Sequence, residues 1–284
     1  MASTFEAERP RLLGLAYRMT GSFADAEDVV QDAWLRWSTA DVSAIENPAA
    51  WMTTVATRLS LDRIRLADRK RADYVGEWLP EPVATSRGPE ETLELAESLT
   101  LGFLVLLDRL SPTERAVFLL ADVFGEPYAS IGEAVGKSEV ACRQIASRAR
   151  RKVHEERTGP PTDEDPELLG RLIAAVLAGD SDELLELLDP DVVLVSDGGP
   201  DRHAARRPVV GADRVSRLVV NLARRGAAAG ASIVEVNGRP SLVLDPPEGR
   251  IVTQIDQRGG RVTAIWIMLN PSKLHGLDDV TPLR

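Results

Sequence analysis

The residues of this sequence that are best suited to chemistry are cations gathered in two short stretches. From Lys137 to Lys152, six lysines and arginines face one acid, Glu139. Arginine and glutamine pair bidentately with guanine and adenine edges in the major groove, while flanking cations hold phosphates. The stretch therefore predicts a DNA-binding surface, and its candidate contact residues are Arg143, Gln144, Ser147, Arg148 and Arg151.

The second basic stretch runs from Arg58 to Arg71, where six cations outnumber Asp62 and Asp68. The chain as a whole carries a net charge of −10. That total does not exclude a nucleic-acid partner, because a local stripe attracts phosphates over a Debye length of about 8–10 Å. Taken alone, each basic stretch fits a solvated helix face equally well.

A helix-turn-helix is the predicted support for the first basic stretch. Tyr128–Val135 has the length of a short helix, Gly136 suits a left-handed C-cap, and Ser138 suits the N-cap of a longer helix that runs to about Val153. A short helix, a tight turn and a longer basic helix form the layout that places a recognition helix in the major groove. A plain helical hairpin has the same spacing. Cys142 belongs to the apolar stripe of the longer helix, which predicts a buried thiol and not a redox switch.

The N-terminal part of the chain predicts helices throughout. Ser22 to Asp25 has the spacing of a capping box, and the helix that follows carries an apolar stripe ending in Trp34 and Trp37. The opposite face of this helix holds Asp25, Asp28, Gln31, Asp32 and Leu35. Pro48 suits the first turn of a further helix, which continues through Trp51 into the second basic stretch.

Two segments rich in proline and glycine divide the chain. Tyr74 to Pro89 contains three prolines and is acidic, and Gly159-Pro160-Pro161 marks a second boundary. We therefore expect two helical domains over 1–72 and 91–157, linkers over 73–90 and 158–165, and a different domain over 166–284. The first linker has the charge of a nucleic acid, so one hypothesis is that it threads a basic channel of a partner enzyme.

The C-terminal domain is predicted to be α+β, with helices followed by an antiparallel sheet. The predicted helices are Pro166–Ala178, Asp182–Leu188 and Ala212–Arg224. The predicted strands lie near Asp191–Ser196, Ser232–Val236, Leu242–Leu244, Gly249–Gln257 and Arg261–Leu269, with Gly259-Gly260 as a hairpin turn. The last strand is apolar on both faces, so we expect it to be covered twice.

Composition narrows the class of protein further. One cysteine rules out an internal disulfide and a cysteine-rich metal site, so we expect no metal and no cofactor. No apolar run approaches the roughly 20 residues of a membrane helix, and the N-terminus lacks a signal-peptide pattern. The expected location is therefore cytoplasmic, with no membrane partner.

The motifs occur in the order seen in a known family. The stretch from Ser22 to Leu35 resembles the polymerase-binding helix of extracytoplasmic-function sigma factors, and Ser111–Val153 resembles their region 4, a helix-turn-helix. The resemblance covers residues 1–156 and implies a sigma factor that binds core RNA polymerase and starts transcription at promoter DNA. It is not an enzyme in this interpretation.

The resemblance also implies roles for the candidate residues. Asp25, Asp28, Gln31, Asp32 and Leu35 would bind core polymerase. The −10 element would be bound and opened by Trp51, Thr54, Arg58, Arg63 and Arg65, since opening needs side chains that hold an unstacked base and cations that hold the released strand. Trp51 is also a candidate core residue. The −35 element would be bound by the five residues of the first basic stretch.

Residues after 165 resemble the cone-shaped SnoaL-like domain that is fused to one subgroup of this family. Three sequences carry the resemblance: Trp78-Leu79-Pro80-Glu81-Pro82, Asp197-Gly198-Gly199 and Asn270-Pro271-Ser272-Lys273-Leu274. Pro200-Asp201 departs from the subgroup, which usually has a glycine and a basic residue there. Since the second apolar face of the last strand can pack on the sigma domains, we expect a regulatory contact between them and the SnoaL-like domain. The residues expected at this contact are Trp78, Pro80, Asp197, Gly198, Asn270, Pro271, Lys273 and Leu274.

Two alternatives stay open at this point. An enzymatic SnoaL-like domain needs an acid/base pair in a cavity, and the available groups are Asp191, Asp197, His203, Glu235, Asp256 and His275. No spacing singles out a pair. A one-component helix-turn-helix regulator with a small-molecule ligand explains the DNA helix but not the aspartate-bearing helix at Ser22–Trp37.

Overall fold

The computed structural model describes residues 2–71, 74–85, 100–156, 165–226 and 230–277. They form two compact units. The first holds residues 2–71 and 103–156, and the second holds residues 74–85, 100–102, 165–226 and 230–277. Within these ranges no helix is both long and apolar enough to cross a bilayer. The first part of the second predicted helical domain, residues 91–99, lies outside the described residues.

The helical part of the chain follows the predicted pattern. Ser22 caps the second helix by accepting a hydrogen bond from the Asp25 backbone N–H at 3.2 Å. Ser111 and Glu114 form a reciprocal capping box at the start of the fifth. The helices are α1 (Ala2–Thr20), α2 (Phe23–Thr39), α3 (Pro48–Arg71), α4 (Leu101–Asp108), α5 (Pro112–Phe118), α6 (Tyr128–Val135) and α7 (Glu139–Glu156).

The predicted helix-turn-helix is confirmed. α6 has the predicted bounds, Gly136 ends it in the left-handed conformation with φ of 69°, and Ser138 caps α7 through the Ala141 N–H at 3.2 Å. α7 extends three residues beyond the predicted end. Cys142 is fully buried, and burial, with the charge of Glu139, raises the pKa of its thiol.

The first unit is a single packed body. α1, α2 and α3 pack on one another, and α3 also packs on α5 and α6. The buried Arg115 guanidinium joins the two halves by donating to the Met19 carbonyl at 2.6 Å and to Asp108 at 2.8 Å. Arg115 of α5 therefore ties the second half of the unit to the end of α1.

The second unit is an α+β domain built on a six-stranded sheet. Its strands are β1 (Leu188–Asp197), β2 (Val209–Val210), β3 (Gly230–Val236), β4 (Arg239–Asp245), β5 (Ile251–Arg258) and β6 (Arg261–Met268), in the order β2-β1-β6-β5-β4-β3. The predicted class is confirmed, but the sheet is mixed and not purely antiparallel, since β1 pairs parallel with β6. β2 was missed because two residues carry no alternation.

Three helices cover one face of this sheet: α8 (Leu168–Ala178), α9 (Ser181–Leu187) and α10 (Ala212–Gly226). Ile265 and Ile267 of β6 pack in one core with the apolar side chains of these helices. Gly259 and Gly260 both have positive φ, as the predicted hairpin turn requires. These helices thus bury one of the two apolar faces of β6, both of which we expected to be buried.

The opposite face of the sheet carries Trp266 and Met268 with buried polar groups. Gln254 lies beside Trp266, Asp197 lies beside Met268, and both polar side chains are fully buried. The Leu79 N–H donates to Asp197 at 2.9 Å, and the Leu101 N–H donates to Gln254 at 3.0 Å. This second face is therefore contacted by Leu79 of the predicted linker and by Leu101, which the sequence assigned to the second helical domain.

Candidate functional site

The exposed face of α7 holds all five residues of the predicted DNA-reading set. Arg143, Gln144, Ser147 and Arg148 line one shallow depression of the surface. Arg148 and Arg151 are exposed, and among the described residues neither forms an ion pair. Arg143 pairs with Glu139 and lies over the Tyr128 ring at 5.3 Å. The arrangement leaves two guanidinium groups directed to solvent, as contact with DNA requires.

The remaining cations of α7 hold the helix in place. Arg150 donates to Asp122 at 2.7 Å and to the Tyr128 hydroxyl at 3.0 Å, and these hydrogen bonds raise the pKa of its guanidinium. Lys152 pairs with Glu114, the acid of the α5 capping box, at 2.9 Å. The cations of α7 therefore fall into two groups: Arg148 and Arg151 form no ion pair within the described residues, whereas Arg150 and Lys152 bind neighbouring elements. The sequence alone did not distinguish the two groups.

Two of the residues predicted to bind the −10 element, Arg58 and Thr54, lie on the side of α3 that faces α6, whereas Trp51 contacts α2. The Arg58 guanidinium donates to the Glu133 carbonyl at 2.6 Å and to the Ala134 carbonyl at 3.4 Å. Thr54 lies in a narrow cleft that is also lined by Ile131 of α6. Trp51 makes a ring contact with the buried Trp37 at 5.5 Å.

Arg63 and Arg65 of α3 are engaged with acids. The Arg63 guanidinium lies 2.7 Å from Asp28, 3.4 Å from Asp25 and 3.5 Å from Asp32. Arg65 pairs with Asp62 one turn away at 2.9 Å. Burial lowers the pKa of Arg63, but the three aspartates outweigh it and the pKa is raised. Arg63 therefore belongs both to the predicted −10 set on α3 and to the acidic face of α2. The spacing of residues in the sequence did not reveal this contact.

The acidic face of α2 is otherwise open. Leu35 is 56% exposed. It stands beside Asp28, Asp32 and the exposed Gln31, and the opposite side of α2 buries Val29, Ala33 and Trp37. An exposed apolar side chain framed by carboxylates has the composition of a protein-binding surface.

The residues predicted to form a regulatory contact meet around Asp197. Its buried carboxylate accepts hydrogen bonds from the Tyr74 hydroxyl at 2.5 Å and the Leu79 N–H at 2.9 Å. The Lys273 ammonium lies 2.7 Å from the same carboxylate and donates to the Leu79 carbonyl at 2.6 Å. We call Tyr74, Leu79, Asp197, Asn270 and Lys273 the Asp197 clasp.

Neighbouring residues complete the clasp. The Lys273 ammonium lies 4.0 Å from the centre of the Trp78 ring, a cation–π contact, and Pro80 and Leu274 are buried. The Asn270 side chain donates to the Tyr74 hydroxyl at 2.8 Å. Pro271 is exposed at the start of a short 3-10 helix, Pro271–Lys273.

Gly198 and Gly199 are required by close approach. A Cβ on Gly198 would lie 2.3 Å from the Arg202 carbonyl oxygen, and one on Gly199, whose φ is 61°, would lie 2.7 Å from the Asn270 side chain. Pro200-Asp201 forms the turn that follows, and it lies beyond the hydrogen bonds of the clasp. The departure from the subgroup pattern therefore leaves the clasp itself complete.

A second set of contacts fixes the end of the same segment. Ala84 forms an antiparallel bridge with Val236 on the edge strand β3. The Thr85 hydroxyl donates to Glu235 at 2.6 Å, and the Asn237 side chain accepts from the Val83 N–H at 3.0 Å. Residues 74–85 are thus bound to the sheet at both ends, and any passage through a channel of a partner requires their release.

The carboxylates considered for enzymatic work have structural partners. Asp197 is engaged in the clasp, Glu235 accepts from Thr85, and Asp256 accepts from the Trp266 indole N–H at 2.9 Å. Asp191, His203 and His275 are exposed. Sequence reasoning missed Tyr74 and the Leu79 backbone, and the only signal for them was their closeness to Trp78 and Pro80.

Two family models match the helical part of the chain, and two relatives match 96% and 98% of its length. The model described as Sigma-70 region 2 matches residues 4–70, and that described as Sigma-70, region 4 matches residues 101–153. The chain is 41% identical over 291 residues to the ECF RNA polymerase sigma factor SigJ of Mycobacterium tuberculosis, covering 96% of this chain and 93% of the relative. It is 33% identical to the probable ECF RNA polymerase sigma factor SigI of that species, covering 98% and 96%.

A solved structure agrees with these matches. The crystal structure of the Mycobacterium tuberculosis extracytoplasmic function sigma factor SigJ superimposes with a TM-score of 0.81 at 39% identity, covering 97% of this chain and 99% of the other. The similarity extends over both units and includes the C-terminal α+β domain.

Proposed function

The chain belongs to the extracytoplasmic-function RNA polymerase sigma factors, and from this premise we propose which of its surfaces bind core polymerase and promoter DNA. The acidic face of α2 binds core polymerase, the exposed face of α7 binds the −35 element, and α3 binds the −10 element. The C-terminal domain controls these steps through residues 74–85, which link regions 2 and 4. The main support for this control is the buried Asp197–Lys273 ion pair, which forms hydrogen bonds with the backbone N–H and carbonyl of Leu79.

The packing of α3 on α6 supports a closed state in the free protein. Thr54 and Arg58, two residues assigned to the −10 element, are engaged by α6 of the helix-turn-helix. Arg58 is exposed, but its guanidinium donates to two carbonyls of α6, so DNA that binds through Arg58 has to compete with α6. In this proposal α6 leaves α3 when the −10 element binds, and the segment between the two regions must permit that movement.

Holding that segment is the role we assign to the C-terminal domain. Residues 74–85 connect region 2 to region 4 along the chain, and their freedom sets how far the two regions can separate. The clasp and the bridge at Ala84 remove that freedom. This proposal replaces an enzymatic role for the domain, since Asp197 and Glu235 serve the contact.

The α7 assignment predicts opposite phenotypes for two neighbouring arginines. Arg148→Ala removes a free guanidinium, so promoter binding by the holoenzyme should weaken by about 1–3 kcal/mol with no loss of thermal stability. Arg150→Ala removes the bonds to Asp122 and Tyr128, so it should chiefly lower the melting temperature. Binding titrations and melting curves of both variants check this. Equal loss of promoter affinity with unchanged melting in both would contradict the division.

Truncation tests the regulatory contact. A chain that ends at Leu277 retains the clasp and should transcribe like the full chain, whereas one that ends at Leu269 lacks Asn270 and Lys273 and should change run-off transcription severalfold. The longer chain keeps Leu277 because its side chain is fully buried and its carbonyl accepts a hydrogen bond from Arg250. If both truncated proteins transcribe like the full chain, the contact does not regulate.

A further inference from the structure

A third basic stretch, in the C-terminal domain, is not used by the functions described above. Residues 202–225 contain seven arginines and one acid, Asp213. The whole chain carries 44 acids against 34 lysines and arginines, so this local excess runs against its composition. The stretch is interrupted by β2 and becomes regular in α10, where the structure shows how its cations are arranged.

Helix α10 gathers three of these arginines on its outer side. Arg214, Arg217 and Arg224 are exposed, and at 100° per residue they fall within 80° of one another on the helical wheel. Val215 and Val220 of the same helix are buried in the core, and Val220 lies beside Arg224 on the helical wheel. We call Arg214, Arg217 and Arg224 the arginine face.

The charges of the arginine face are not neutralised by neighbours. Among the described residues none of its three guanidinium groups forms an ion pair, although exposed acids lie on α9 at Asp182, Glu183 and Glu186. Arg217 donates only to the Asp213 backbone carbonyl one turn earlier, at 3.0 Å. These three guanidinium groups are therefore available to a partner that supplies negative charge from outside the domain.

We propose that the arginine face binds the phosphate backbone of duplex DNA without reading its sequence. Arg214 and Arg224 are separated by ten residues of helix, about 15 Å, which spans several phosphates of one strand. Guanidinium forks match phosphate oxygens. The arginine face has no aromatic anchor of the kind that concentrates energy in protein–protein interfaces, so an acidic protein surface fits it less well.

This DNA contact adds to the proposed function and does not depend on the clasp. The unit that carries the arginine face is joined to α7 through residues 157–164. Once α7 is on a promoter, that short connection keeps the arginine face at high local concentration near flanking DNA. The C-terminal domain then strengthens promoter binding by a salt-dependent term.

The test measures binding of the full-length chain to a 40-base-pair duplex of arbitrary sequence at several salt concentrations. The triple variant Arg214→Gln, Arg217→Gln, Arg224→Gln should lower the slope of log K against log salt by about 2.7, since each phosphate contact contributes about 0.9. A control with the same charge change, Arg36→Gln, Arg109→Gln, Arg171→Gln, should leave the slope unchanged. Circular dichroism of both proteins reports folding.

The outcomes separate this inference from the role of α7. Arg148→Gln should weaken DNA binding whether or not the arginine face takes part. An unchanged slope in the α10 triple variant, with Arg148→Gln still impaired, would overturn the inference and leave the α7 assignment intact. A triple variant that keeps the slope but loses affinity for core polymerase would also overturn it, because the arginine face would then bind protein.

Discussion

Replacing Lys273 with methionine is expected to release residues 74–85 from the sheet of the C-terminal domain. The substitution leaves the carboxylate of Asp197, which is 0% exposed, without its cation, and breaking a buried pair in this way costs about 3–5 kcal/mol. The Leu79 N–H, bonded to that carboxylate, should lose protection from hydrogen exchange by about 100-fold or more. Hydrogen-exchange mass spectrometry of peptides covering 74–85 measures the loss.

The matched control is Lys152→Met, which removes a surface pair with Glu114 worth less than about 1 kcal/mol. Its peptides over 74–85 should exchange like those of the unaltered chain. Tyr74→Phe serves as a milder second variant, since it removes one hydrogen bond to Asp197 and leaves the ion pair. Unchanged protection of 74–85 in both Lys273→Met and Tyr74→Phe would show that the clasp does not hold the segment.

The second large effect is expected at the acidic face of α2. The double variant Asp28→Lys, Asp32→Lys places two cations beside Arg63. They replace negative charges on the α2 face that we propose binds a positive surface of core polymerase. Like charges across an interface cost several kcal/mol, so the affinity for core polymerase should fall by at least about 100-fold. Binding of labelled core polymerase to the full chain measures the change.

Glu46→Lys, Glu186→Lys gives the same change of net charge at two exposed sites away from α2 and should bind core polymerase normally. Leu35→Ala provides a variant with no change of charge, and it should weaken binding by a smaller factor through loss of the exposed apolar contact. If the double variant and Leu35→Ala both bind like the unaltered chain, core polymerase uses another surface.

Local signals predicted the helical part of the fold because each of them acts within one or two turns. Gly136 and Ser138 define the turn before α7, and Ser22 defines the start of α2. Charge spacing on a helix also predicts which residues share a face: the five α7 candidates are all exposed, and four of them line one depression. A structural property that depends only on residues close in sequence could therefore be predicted from the sequence alone.

Properties that depend on distant residues were not predictable in the same way. The parallel pairing of β1 with β6 joins residues about 70 positions apart, and no periodicity in either strand encodes it. Arg63 lies more than 30 residues from the aspartates that engage it, so its charge appeared free. Residues 74–85 have a linker's composition, yet Tyr74 and Leu79 are bound by a carboxylate over 100 positions later.

We infer that this chain starts transcription as a sigma factor. The most direct test adds the purified full chain to core RNA polymerase, with no other sigma factor, and transcribes a pool of genomic fragments from the source bacterium. We predict stable association with core polymerase and transcripts whose start sites share one pair of upstream elements. Transcription no more specific than that of core polymerase alone would contradict the claim.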